Sequence, residues 1–351
     1  MPASSERPRA GVAGSYLDGW RRVLRAPAIA AGVLVATLLT ALPLALALGD
    51  AIEGDLGSSG TAGTVAEGWD PGWGAEFAHR AGGFAATLTH EVLGFGGTLA
   101  TTSAFVDAES IDPAIAATVA VYLGVWTFLW GGILDRFARQ RPIDTAPFFG
   151  ACGVFFLRFL RLGLIVGPLY WAVFAWLHPL LFGTVYDWWT RDLTAERDAV
   201  AFRSGLYLVL LGTLAAIGLL ADFAKVRTVV EDRRSAIGAF LASVRFVRQR
   251  LVRVTGLYLL NVLVLAAVAL GWFAVAPGAT APAWLAFLAA QIYLLLRLWT
   301  RLALGASEVA FFQAELAHAA YAAAPLPVWP DSPTVEGLRN LGSGRSALGS
   351  D

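Results

Sequence analysis

Apolar positions in this chain gather into long unbroken runs, unlike the alternation of strands or the one-sided stripes of water-facing helices. A bilayer core about 30 Å thick takes about 20 residues of helix to cross. Six runs reach or approach that length: Ala28–Gly49, Ala114–Leu134, Leu162–Phe182, Ser204–Ala221, Val254–Ala276 and Pro282–Leu296. The last starts at a proline, which suits a first helical turn, and continues toward Thr300. None shows the period-2 pattern of a membrane barrel strand. Backbone groups left unpaired in lipid are too costly for any other spanning structure, so all six are predicted helices. The expected fold class is all-α, a polytopic membrane protein with six transmembrane helices plus interfacial amphipathic helices.

Two runs carry a second reading. Arg21-Arg22 ahead of the first run has the look of a twin-arginine export signal, but the run is 22 residues long, beyond a signal core of about 7–15. A retained first helix is the expectation. Val92–Val106 is apolar but only 15 residues long, so it reads as a re-entrant segment or one lying at the interface. The loop 50–113 that contains it is long enough for structure of its own. Within it Phe77, Ala81, Phe84, Leu88 and Val92 recur at helical spacing opposite Glu76, His79, Arg80 and His90, predicting an amphipathic helix. Residues 302 to 323 extend the sixth helix with the stripe Leu302, Val309, Phe312, Leu316 and Tyr321. Three regions follow: a basic segment over residues 1–27, a membrane domain over 28–322, and a Pro-, Gly- and Ser-rich disordered tail over 323–351.

Arginine pairs recur ahead of the first, third and fifth runs: Arg22 and Arg25, Arg158 and Arg161, Arg245 and Arg248. Each pair lies three apart around two apolar residues, on one helix face. Guanidinium forks match phosphate geometry, so all six arginines are candidate anionic-lipid ligands on basic interfacial helices. Two readings remain open: three repeated helical hairpins, or arginines that mark topology alone.

Composition sharpens this picture. The 351 residues are 57% hydrophobic and only 15% charged, against roughly a quarter charged in soluble proteins. With six crossings and the N-terminus inside, 22 of the 26 basic residues fall on one side, which is the positive-inside bias. That expectation sets the chain in a bacterial inner membrane with both termini cytoplasmic. Zero formal net charge argues against a nucleic-acid partner, and one cysteine rules out a cysteine metal cage.

Chemistry is sparse. Glu76-Phe-Ala-His79 has the spacing of a di-iron half-site but lacks a second copy. Asp50, Glu53 and Asp55 cluster without calcium-loop spacing. Asp187, Asp192 and Glu196 gather beside Trp188 and Trp189, without a pattern that would position an acid and a base. No catalytic residue, metal or cofactor is expected. Asn261 and Gln291 are the polar residues deep within the spans, read as interhelical hydrogen-bonding groups, or as the lining of a solute route.

The basic amphipathic segments ahead of apolar hairpins, over about residues 12–305, resemble in layout uncharacterised bacterial multi-pass proteins. One such protein is the membrane domain attached to some glycerophosphodiester phosphodiesterases. The resemblance implies membrane residence and transfers no site residue. The expected function is a non-catalytic membrane protein that binds anionic phospholipid and a membrane-protein partner or a second copy of itself. It would organise membrane or accompany a transport or secretion assembly. The alternatives are a carrier for a small or lipidic solute and an enzyme acting on lipid head groups.

Overall fold

A computed structural model describes residues 11–57, 59–67, 70–80, 102–109, 113–193, 195–277 and 282–316. Every regular element among them is helical. The helices are α1 (Val12–Leu24), α2 (Pro27–Leu56), α3 (Ala62–Glu67), α4 (Pro71–Arg80) and α5 (Pro113–Arg139). After them come α6 (Thr145–Ala172), α7 (Glu196–Val230), α8 (Ala236–Gln249), α9 (Leu251–Val275) and α10 (Ala283–Glu315). Among the described residues, six helical segments are long and apolar enough to cross a membrane. The chain is a multi-pass, all-α membrane protein.

Local chemistry sets where the rods break. Pro27 opens α2, and the preceding Ala26 takes φ −135° and ψ 55°. A residue before proline is driven from the helical region, so α1 ends there and a new axis begins. No such break follows Arg158 and Arg161. Here α6 runs straight from the basic end into the lipid-crossing stretch, so the second arginine pair stands on the spanning rod and not on a separate interfacial helix. Its Pro147 sits in the first turn, where a missing N–H costs nothing. Past Ala172 the rod widens into π-helical turns at Val173–Leu177 and Leu180–Val185, either side of His178-Pro179, before the short helix Tyr186–Thr190. Pro179 removes one donor from the ladder, and wider turns restore register around the gap. The rod reaches 46 residues, more than twice the expected third span. The third pair does precede a break, with α8 stopping at Gln249 and α9 starting at Leu251.

Packing is concentrated at the end of the bundle that carries most of the basic residues. There α10 is the central strut, and Leu302, Ala303, Ala306, Val309, Phe311 and Phe312 are fully buried. Sequence periodicity assigned this stretch a one-sided stripe. The structure surrounds it, because α1, α5, α7 and α9 close on it from several sides. Gly19 of α1 touches α10 so closely that a Cβ there would lie 2.5 Å from the Ser307 nitrogen. Gly132 fits against Cys152 and Phe148 of α6, and Gly305 against the Trp130 ring, with similar tightness. Phe223, Phe246 and Phe311 complete an aromatic core where α7, α8 and α10 meet.

Away from that end the helices part. Only 6% of the most apolar stretch of α9 is buried, and Leu164, Phe273 and Val275 lie largely exposed. Hydrocarbon solvates such side chains as well as another leucine does, so nothing drives them together. At the opposite end Trp73 and Phe77 of α4 pack on Ile52 and Leu56, and the Trp73 Nε1 donates to Asp55 at 2.8 Å. The amphipathic helix expected from Phe77 to Val92 begins earlier, as α4, and its residues 81–92 lie outside the described residues. So do 92–101 of the short apolar run, whose residues 102–106 are helical, and the whole segment 323–351.

Candidate functional site

Three places at or near the basic end could carry function: the arginine-rich face, a groove beside α2, and a charged cavity in the bundle.

The face is built from helix ends. The last carbonyls of α5 have no partner within their own helix. Arg22 and Gln313 supply donors: Arg22 Nη1 reaches the Phe137 carbonyl at 2.9 Å, and Gln313 Nε2 reaches that of Ala138 at 3.0 Å. Arg22 also donates to the Gln313 Oε1 at 2.7 Å and to Asp18 at 2.8 and 3.0 Å. Burial pulls this guanidinium below its ordinary value, and Asp18 acts to hold it up. Arg22 was expected to meet lipid phosphate; it is buried in the protein and engaged on every branch.

The other five arginines are placed differently. Arg158 is half-buried, ion-paired with Asp232 and stacked over the Phe155 ring at 5.1 Å. Asp232 sits in the left-handed region at φ 49°, closing the end of α7. Arg25, Arg161, Arg245 and Arg248 are exposed. Sequence spacing missed Arg250 and Arg253, which converge on Glu315 at 2.8 and 2.9 Å and tie the α8–α9 corner to α10. Their i, i+3 separation was visible, but Glu315 lies over sixty residues downstream.

The groove runs along α5 between α2 and α6 and encloses about 870 Å³. Its walls are apolar: Ile29, Val33 and Leu39 on α2, Phe128 and Leu129 on α5, Phe149 and Phe156 on α6. Arg25 and Arg136 line it where α1 gives way to α2 and α5 nears its end. The Arg136 Nη2 donates to the Arg25 carbonyl at 3.4 Å, so the two residues are neighbours.

The cavity lies between α5, α6, α7 and α10 and holds about 340 Å³. Trp126, Trp130, Phe159 and Tyr170 make aromatic walls, and Asp222, Lys225, Arg301 and Glu308 bring charge. Lys225 Nζ and Asp222 Oδ1 pair at 2.8 Å. The Arg301 guanidinium lies 3.9 Å from the Trp126 ring centre and donates to the Tyr122 hydroxyl at 3.3 Å. Glu308 is only 3% exposed, and its Oε1 has no hydrogen-bond partner. In the sequence Glu308 lies within the expected extension of the sixth helix, outside its apolar stripe. The available signal was a single carboxylate inside the apolar run Leu302–Phe312.

The expected intramembrane polar residues lie elsewhere. Asn261 Nδ2 donates to Ser307 Oγ at 3.2 Å and to the Leu257 carbonyl at 2.9 Å, joining α9 to α10. Gln291 is half-buried higher on α10. Neither lines the charged cavity. Asp187, Asp192 and Glu196 are exposed at the opposite end, and no cluster of three metal-ligating side chains occurs among the described residues.

No family model, curated protein or solved structure matches the chain.

Proposed function

We propose that the protein is a non-catalytic, multi-pass protein of a bacterial inner membrane, both termini cytoplasmic, that binds anionic phospholipid at its basic end and docks a membrane-protein partner there. The observation that carries the lipid reading is the groove beside α2. Its apolar walls suit an acyl chain, and Arg25 and Arg136 at one end suit a phosphate. Exposed Arg161, Arg245 and Arg248 add a diffuse attraction of roughly 1 kcal/mol per residue toward an anionic leaflet. Fixed positive charge on short loops supports the inward orientation.

Mass spectrometry of the protein released from mild detergent tests the reading. Double replacement Arg25→Gln with Arg136→Gln is expected to lower the phosphatidylglycerol or cardiolipin retained per chain. Equal retention in the double variant sinks the groove as a lipid site. Gln at Arg161, Arg245 and Arg248 should matter chiefly at low salt, since exposed charges are screened beyond about 8 Å at physiological ionic strength.

A carrier is the second reading, favoured by the charged cavity in the bundle and not by Asn261 or Gln291. Uptake into proteoliposomes that disappears with Asp222→Asn would favour it over the binding role.

A further inference from the structure

The cavity between α5, α6, α7 and α10 is unbalanced in one respect. Its Asp222 and Lys225 neutralise each other at 2.8 Å. Arg301 is engaged at the rim, over Trp126 and against Tyr122. Glu308 shares the field of Lys225 with Asp222, but it is buried and lines the cavity, and its Oε1 has no hydrogen-bond donor. Buried acceptors in proteins are nearly always satisfied, by protein or by a bound molecule.

We propose that this cavity is a binding site for a small organic ammonium ion, with an ammonium N–H donating to Glu308 and the carbon body lying against the aromatic walls. Three observations select that chemistry. A carboxylate oxygen accepts, so the missing partner must donate. Indole faces attract cations, and Trp130 stands on the wall beside Trp126, whose own ring already carries Arg301. The volume of about 340 Å³ falls at the small end of the range of organic-ligand pockets. A phosphate or carboxylate would meet the unpaired oxygen of Glu308, while Lys225 and Arg301, the groups that could hold it, are already engaged. A metal ion lacks a donor set, since the described residues hold no group of three ligating side chains. Gly305 lets the Trp130 ring seat against α10, since a Cβ there would sit 2.6 Å from the ring and force the indole to move. The site is separate from the groove beside α2 and does not depend on lipid binding there.

The full chain in detergent micelles, titrated with methylammonium, phenethylammonium and inorganic phosphate, tests this through tryptophan fluorescence and thermal unfolding. Phenethylammonium is expected to saturate and to raise the unfolding temperature. Glu308→Gln, close in shape, should weaken binding by about tenfold to a hundredfold, the worth of a hydrogen bond to a charged group. It should unfold at or above the native temperature, and Glu308→Asp should restore part of the affinity. Arg191→Gln, at an exposed position at the opposite end, should bind as the native chain does. The proposal is overturned if neither ammonium probe saturates, if Glu308→Gln binds as tightly as the native chain, or if phosphate saturates the site instead.

Discussion

Arg22 and Arg25 lie one helical turn apart and have opposite fates. Arg22 enters the protein and caps the free carbonyl of Phe137, while Arg25 stays exposed beside the groove. Replacing Arg22 by Leu would take the donor from that carbonyl and remove the bond to Gln313. A buried unsatisfied group costs about 1–3 kcal/mol, so Arg22→Leu is expected to lose about 2–3 kcal/mol in denaturant unfolding from micelles. Arg25→Leu, at an exposed position, should stay within about 0.5 kcal/mol. Equal losses would mean that Arg22 is not the bolt described. Gly19 belongs to the same seam, since any side chain there meets the Ser307 backbone at 2.5 Å. Both partners are backbone and cannot yield, so Gly19→Val should cost about 1–3 kcal/mol by overpacking, measured in the same unfolding assay.

Helices in this protein obey two solvents. Within the lipid their apolar residues need no protein partner, and polar bonds between them are worth little. Asn261→Leu, which removes a bond between the spanning helices α9 and α10 where they enter the packed end, is expected to cost only about 0.6 kcal/mol. At the basic end the same rods meet water and bury their apolar faces against one another. There helix ends matter more. Ser235 caps α8 by accepting from the Gly238 N–H at 3.1 Å, and Ser235→Ala should cost about 1 kcal/mol. Thermal unfolding of both variants would separate the two regimes; a larger loss for Asn261→Leu than for Ser235→Ala would contradict this division.

The whole molecule is a set of loosely gathered spans tied together at one end. That shape gives the groove beside α2 its opening and puts the charged cavity where spans begin to diverge. Orientation can be read with the chain's own chemistry, because Cys152 is its single cysteine and is buried. Gln249→Cys stands at the exposed α8–α9 corner and Asp192→Cys at the opposite end. A membrane-impermeant maleimide is expected to label Asp192→Cys in intact cells and Gln249→Cys only in inverted vesicles. Labelling of Gln249→Cys from outside would reverse the topology and remove the lipid reading with it.

Six apolar rods and one basic end were legible in the sequence, because both follow from sums over neighbouring residues: transfer energy over a helix of about 20 positions, and charge over short loops. The break at Pro27 was equally local. Other features depended on which rods become neighbours. Arg22 and Arg25 have the same spacing as Arg245 and Arg248, yet only Arg22 meets the end of another helix, 115 residues away in sequence. Glu308 gained its place only when α5, α6 and α7 closed around it, and Arg136 gained its role from a groove that α2 and α6 shape. Close approach at Gly19, Gly132 and Gly305 decides those neighbours. Contacts of that kind join residues far apart along the chain, and only the folded bundle brings them together.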